Sequence, residues 1–253
     1  FKIMKFNKKI ENIIKKKYYI YKIDNFLDQN LYQDIKKNFP KIDNNQLDLN
    51  GKHFGKKAFY RNELPFENSS QKIIFSKFEE IVYSKKFFYF FMKNFFFLNV
   101  LNQTNFLTKL RYLRFPKLHN DSSSFLDFLF SKISVSYDFS FIKNNGGIYP
   151  HVDALRKYLS LMLYFPDDDL KEKSYGTTFW DSNDQNYNNT FIINPNELNE
   201  FKSTNKIIYK TPFVSNCLYF FLRNNYTWHT VEPQNISENY VRKSININFI
   251  YKN

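Results

Sequence analysis

Residues 148–153 read Ile-Tyr-Pro-His-Val-Asp, placing one of only four histidines two positions before an aspartate. On an extended strand, positions i and i+2 face the same way, so His151 and Asp153 can reach one metal ion together. A lone His-x-Asp is equally well a turn residue followed by a helix cap, so the pair needs a third ligand. A divalent iron site of the two-histidine, one-carboxylate type asks for a second histidine. His53 lies in a polar irregular stretch, GKHFG, and His119 in FPKLHND, ahead of the strand-rich half. His229, in NNYTWHTVEP, follows the apolar run NCLYFFL and is the favoured third ligand. The competing reading of His229 is a core or turn histidine beside Trp228.

The last strand-like segment weighs against that bland reading. In VRKSININFIY, Arg242, Ser244, Asn246 and Asn248 alternate with Val241, Lys243, Ile245, Ile247 and Phe249. One face of this strand is polar while the other is largely apolar. A polar face inside a β-sandwich is costly unless something polar fills the space against it. Arg242 can offer a planar fork to a carboxylate and Ser244 a hydroxyl. Metal ligands together with a carboxylate clamp describe a site for a 2-oxo acid.

The elements that must position these groups follow from patterning. YYIYKI (18–23) reads as a strand, and FLDQNLYQDIKKNFP as a helix ended before Pro40. Residues 41–69 are polar and irregular. From about Gln71 to Asn94 the spacing is helical, as two helices broken near Ser84. After residue 106 the character turns to strands: 131–142, then an NNGG turn, then IYPHVD, then KYLSLMLYF (157–165). TTFWD, TFIIN, NKIIYK, NCLYFFL and VRKSININFIY follow, separated by polar turns. Many short strands at such spacing predict a mainly β sandwich or barrel with a helical N-terminal layer. No P-loop, GxGxxG, repeat or low-complexity linker is present.

Composition bounds the rest. The 253 residues are enough for a sizeable core, and 31 Phe and 19 Tyr make it an aromatic one. The formal net charge of +13 comes with only six arginines and abundant Asn, Ile and Phe, a joint bias of AT-rich codons. The lysines are scattered except at 15–17 and no nucleic-acid motif accompanies them, so no nucleic acid is expected as a partner. A single cysteine, Cys217, excludes intramolecular disulfides and Cys-rich zinc sites, and is expected to be a small core residue. The basic N-terminus lacks the apolar stretch of a signal peptide, and 87–101 is broken by Lys93 and Asn94 and too short to span a bilayer. A cytoplasmic protein without a membrane span is expected.

The combination of His151-x-Asp153, a distal Trp228-His229-x-Val231 and Arg242-x-Ser244 on a final strand resembles the iron(II)- and 2-oxoglutarate-dependent dioxygenases. It is most similar to their prolyl-4-hydroxylase-like branch. YIYKIDNFLDQNLYQDIKKNFP resembles the strand–helix opening of that branch. YGTTFWD takes the place of its Gly-rich strand, and TPFVSNCLYFFLRNNYTWHTVEP is similar to its Asn–strand–His stretch. The resemblance runs from about Tyr18 and is weakest over 41–69 and 181–206. It implies a single domain over 1–253, a double-stranded β-helix (jelly roll) core over about 106–253 and mostly helical support over about 18–105.

The resemblance also implies iron(II) on His151, Asp153 and His229, with 2-oxoglutarate and O2 as cosubstrates. Arg242, with Ser244 and Tyr137, would contact the 2-oxo acid. Tyr149, Tyr164, Trp180 and Trp228 are further candidates for an aromatic lining, and Arg156 for the substrate side. The reaction implied is hydroxylation of a C–H bond with release of succinate and CO2. Asp153 is a carboxylate, unlike the halogenase variant, and Asn248 stands where nucleic-acid demethylases carry a second arginine. The substrate expected is a small metabolite or a sugar- or glycan-related molecule. The alternatives are peptidyl (prolyl-type) hydroxylation or a non-catalytic jelly-roll binding module. The sequence leaves the oligomeric state open.

Overall fold

The computed structural model describes residues 8–14, 17–42, 47, 53–61, 63, 66, 68–102, 110, 113–119, 129–167, 175–182 and 195–252. Among the described residues, twelve strands form two sheets. They are β1 (Glu11–Ile14), β2 (Ile20–Ile23), β3 (Lys56–Tyr60), β4 (Phe115–Leu118), β5 (Phe130–Lys143) and β6 (Ile148–His151). After these come β7 (Lys157–Tyr164), β8 (Tyr175–Asp181), β9 (Lys206–Pro212), β10 (Leu218–Leu222), β11 (Trp228–Val231) and β12 (Val241–Tyr251). The larger sheet has the order β1-β2-β10-β7-β12-β5-β3, with β4 parallel to β5; the smaller runs β6-β11-β8-β9. From β5 to β8 the chain alternates between the sheets, and from β9 to β12 it alternates back. That double winding is the jelly-roll core expected from the sequence, and the protein is mainly β.

Period-two alternation decides which side chains meet which layer. On β12, Ile245, Ile247, Phe249 and Tyr251 enter the main hydrophobic core, while Arg242, Ser244, Asn246 and Asn248 line a cavity between the sheets. The same split divides β5 into Ile133, Tyr137, Phe139 and Phe141 on one side and Asp138, Ser140 and Ile142 on the other. The apolar side is roofed by helices α1 (Gln29–Lys37), α2 (Ser69–Val82) and α3 (Lys85–Asn102). Asp28 caps α1 by accepting from the amides of Asn30 and Leu31, and Asn68 caps α2 through Gln71. Phe91 shows how the roof is nailed down. Its ring meets Phe220 at 5.2 Å, Phe249 at 5.5 Å and Phe87 at 5.0 Å. Each such buried ring is worth about 1.5–3 kcal/mol of transfer energy.

Several expectations are sharpened. The helical break at Ser84 is present, with the Ser84 hydroxyl accepting from the Phe87 amide as α3 begins. The α3 segment is half buried rather than enclosed, since Tyr89, Phe97 and Leu101 are exposed. No helix among the described residues is long and apolar enough to cross a membrane. The stretch 41–69 is not wholly irregular. Lys56–Tyr60 forms the edge strand β3 on β5, so the first hundred residues supply strands to the large sheet as well as helices. A fourth helix, α4 (Pro195–Thr204), packs Phe201 against Trp180 and Trp228. The strand expected over TFIIN (190–194) lies outside the described residues. Cys217 is buried with its thiol against Asp24, and burial pushes that thiol up to about 12.

Candidate metal centre and its cavity

The NNGG turn delivers the first two candidate ligands. Asn145 adopts φ 59°, and at Gly147 a Cβ would come within 2.5 Å of the Val231 carbonyl. Only glycine lets the turn close that tightly, and the closure lays β6 against β11. In their antiparallel register His151 sits directly opposite His229, with ring centroids 4.2 Å apart. Asp153 follows β6 immediately. The ligand atoms of His151, Asp153 and His229 lie within 4.8 Å of one another, and no other group of this kind exists among the described residues.

Hydrogen bonds fix which nitrogen each histidine offers. Nδ1 of His151 lies 2.9 Å from the Tyr149 carbonyl, and Nδ1 of His229 lies 3.0 Å from the Thr227 carbonyl. A carbonyl only accepts, so both Nδ1 atoms carry the proton and both Nε2 lone pairs are left for a metal. Burial lowers the pKa of His151 well below the ordinary imidazole value, and proximity to His229 lowers it further. Burial lowers His229 likewise. Two neutral imidazoles are what a divalent cation requires. Burial alone would raise the Asp153 carboxyl. Lys157 and the two histidines outweigh it and hold the group well below the usual carboxylate range. Lys157 donates to Asp153 at 2.7 Å, Ser160 donates to its other oxygen, and Arg223 Nε holds the Asp153 backbone carbonyl at 3.0 Å. The donor set and its preset tautomers fit an iron(II)-type cation.

Arg242 reaches the same cavity from the large sheet. Its guanidinium is buried, 5.2 Å from the Tyr164 ring centroid and 4.9 Å from that of Phe213, and Nε has no hydrogen-bond partner. The groups that favour its charge are the phenols of Tyr164 and Tyr240, and it has no carboxylate ion pair among the described residues. Burial lowers its pKa accordingly. Tyr164 is itself pinned. Its hydroxyl lies 3.1 Å from the hydroxyls of both Thr177 and Thr211, and a Cβ at Gly176 would stand 2.6 Å from its ring. Ser244 is buried and lines the cavity in register with Tyr164 and Ser140. The cavity measures about 150 Å³.

Other expected residues fall elsewhere. Tyr137 does not reach the cavity: it lies on the helix-facing side of β5, in contact with Phe78, and donates to Glu79 at 2.8 Å. Tyr164 is the tyrosine that stands beside Arg242. Tyr149, Trp180 and Trp228 form a satellite core with Val152 and Phe201 instead of lining the cavity. Arg156 is exposed on the turn before β7. His53 and His119 do not belong to the cluster. The sequence reading did not identify Lys157, Ser160, Phe221, Lys56 or Asp138 as cavity residues. A serine in the otherwise apolar run KYLSLMLY was the one visible signal for Ser160.

No protein-family model matches the chain, and no curated protein matches it. Among solved structures, a Pseudomonas putida prolyl-4-hydroxylase is similar at 10% identity and TM-score 0.47, over 92% of each chain. A prolyl hydroxylase from Trichoplax adhaerens, in complex with a hypoxia inducible factor oxygen degradation domain peptide fragment, is similar at 11% identity and TM-score 0.45. That match covers 91% of this chain and 83% of the other. Likeness this distant leaves the reading of the site to its own side chains.

Proposed function

We propose that the protein is an iron(II)- and 2-oxo acid-dependent oxygenase that hydroxylates a C–H bond of a small-molecule substrate. The observation that carries this reading is Arg242, a buried cation without a carboxylate partner among the described residues, in the cavity that also holds the His151–Asp153–His229 cluster. A buried unpaired charge is costly, and a dicarboxylic ligand relieves that cost. Iron bound to the triad would supply the redox chemistry that couples decarboxylation of 2-oxoglutarate to hydroxylation, consuming O2 and releasing succinate and CO2.

Each residue then has a defined task. His151 and His229 present Nε2 lone pairs because the Tyr149 and Thr227 carbonyls hold their Nδ1 protons. Asp153 supplies the anionic ligand, oriented by Ser160. Arg242 forks onto the distal carboxylate of the 2-oxo acid, with Ser244 adding a hydroxyl donor. Tyr164 and Phe213 hold the guanidinium plane, and Phe221, 4.7 Å from the His229 ring, keeps water from that side. The test is succinate release from 2-oxoglutarate with ferrous iron under air. Turnover is expected for the wild type and none for His151→Ala. Absence of both iron binding and succinate in the wild type removes the proposal.

A further inference from the structure

One wall of the cavity is used by neither the triad nor the Arg242 clamp. It is built where β12, β5 and β3 lie side by side, with Asn246 in register with Asp138 and Ala58 with Ser140. Asp138 accepts from Asn246 Nδ2 at 2.8 Å and from Asn248 Nδ2 at 3.3 Å. Each amide spends a donor on the carboxyl, and its carbonyl oxygen has no partner among the described residues. Lys56, on the edge strand, reaches into the same cavity and forms no ion pair among the described residues. Ala58 and Ser140 line the cavity beside them.

These groups set a definite recognition chemistry. Asp138 and Lys56 bring one carboxyl and one amine, so neither a strongly anionic nor a strongly cationic ligand is favoured there. What is in surplus is hydrogen-bonding capacity: carboxyl lone pairs and two amide oxygens as acceptors, with the Lys56 amine as donor. A hydroxyl both donates and accepts, and neighbouring hydroxyls on one ring satisfy such a mixed array. A peptide would instead be met by backbone groups of an unpaired strand edge or by apolar side-chain pockets, whereas this wall presents the polar side chains of Asp138, Asn246, Asn248 and Lys56 to the cavity. Burial raises the Asp138 carboxyl and lowers the Lys56 amine, each group's charge opposing the shift of the other.

We infer that Asp138, Asn246, Asn248 and Lys56 form the substrate subsite, and that it takes a polyol such as a monosaccharide unit through its vicinal hydroxyls. The inference rests on the oxygenase reading for the reaction that follows, but the binding itself is independent of it. Saturation-transfer NMR and calorimetry on the full chain, loaded with redox-silent zinc, test it. The probes are D-glucose, D-mannose, D-galactose, L-fucose and myo-inositol, set against a Gly-Pro dipeptide, putrescine and inorganic phosphate.

At least one polyol is expected to bind saturably, with affinity falling about tenfold in Asp138→Asn and in Asn248→Ala. Leu101→Ser, on the exposed face of α3 and away from the cavity, should bind it as the wild type does. Thermal melting checks that each variant is folded, and Lys56→Met supplies a further variant outside the Asp138 hydrogen bonds. The inference is overturned by no polyol binding to the wild type, by binding that survives every one of these subsite substitutions, or by preferential binding of putrescine, phosphate or the dipeptide. Polyol binding without any succinate release would remove the oxygenase reading and leave the subsite standing.

Discussion

Arg242 and Lys157 are cations in one cavity with opposite relations to it. Arg242 has no carboxylate partner among the described residues, whereas Lys157 already neutralises Asp153. Replacing Arg242 by Met leaves an apolar side chain of similar length between Tyr164 and Phe213. Chemical denaturation should therefore find stability within about 1 kcal/mol of wild type. The KM for 2-oxoglutarate should rise between about ten- and a hundredfold. A large loss of stability with unchanged KM would make Arg242 a structural residue. Lys157→Met removes the cation that competes with a metal for Asp153. The metal-free variant should lose about 1–3 kcal/mol of stability, while zinc titration should show binding about tenfold tighter. Weaker binding would mean that Lys157 orients Asp153 and does not compete. Which residues were legible follows from alternation. His151, His229, Arg242 and Ser244 could be placed because each sits in a strand whose phase is visible, and Asp153 keeps the i+2 spacing two residues past the end of β6. Tyr137 was misplaced although its phase was equally visible: it alternates with Ile133, Phe139 and Phe141, an apolar set that belongs to the helix side.

At the scale of elements, Gly176 is the point where β8 crosses over the Tyr164 ring. A Cβ there would lie 2.2 Å from Thr211 Oγ1 and 2.6 Å from Tyr164, neither of which can yield without breaking the three-hydroxyl cluster. Gly176→Ala should cost about 1–3 kcal/mol and raise the KM for the 2-oxo acid, because Tyr164 carries the guanidinium. An unchanged KM in a folded variant would separate the ring from the clamp. Phe91→Ala probes the roof, with an expected loss of about 3–5 kcal/mol and no selective effect on the 2-oxo acid KM. The elements that the sequence hid are those with no periodicity of their own. KKAFY does not alternate, and it becomes β3 because the long β5 offers it an open edge. PNELNEFKST becomes α4 because Phe201 finds Trp180 and Trp228, a contact that exists only after the sheets have closed.

For the whole molecule, folding brings two imidazoles and a carboxyl out of water into one place, and stability must then depend on pH and on metal together. Both histidines have folded pKa values below the ordinary 6.5, chiefly through burial. Above about pH 6.5 neither state protonates them and no penalty arises. As the pH falls through 6.5 toward the lower folded values, the unfolded chain takes up protons that the folded chain refuses. Each histidine then removes up to about 1.4 kcal/mol of stability per pH unit. Asp153 acts lower, its contribution being present above 3.8 and lost as the pH falls through its depressed folded value. Urea denaturation of metal-free protein should therefore show stability level near pH 7–8 and declining steeply below 6.5, with a shallower decline in His229→Asn. Zinc at a hundredfold excess over its dissociation constant should add about 2.7 kcal/mol on the plateau. That increment should hold below pH 6.5 and shrink only as the pH reaches the depressed folded values, where protons compete for the same two Nε2 atoms. A metal increment independent of pH, or equal in the wild type and His229→Asn, would place the bound ion somewhere other than the β6–β11 pair.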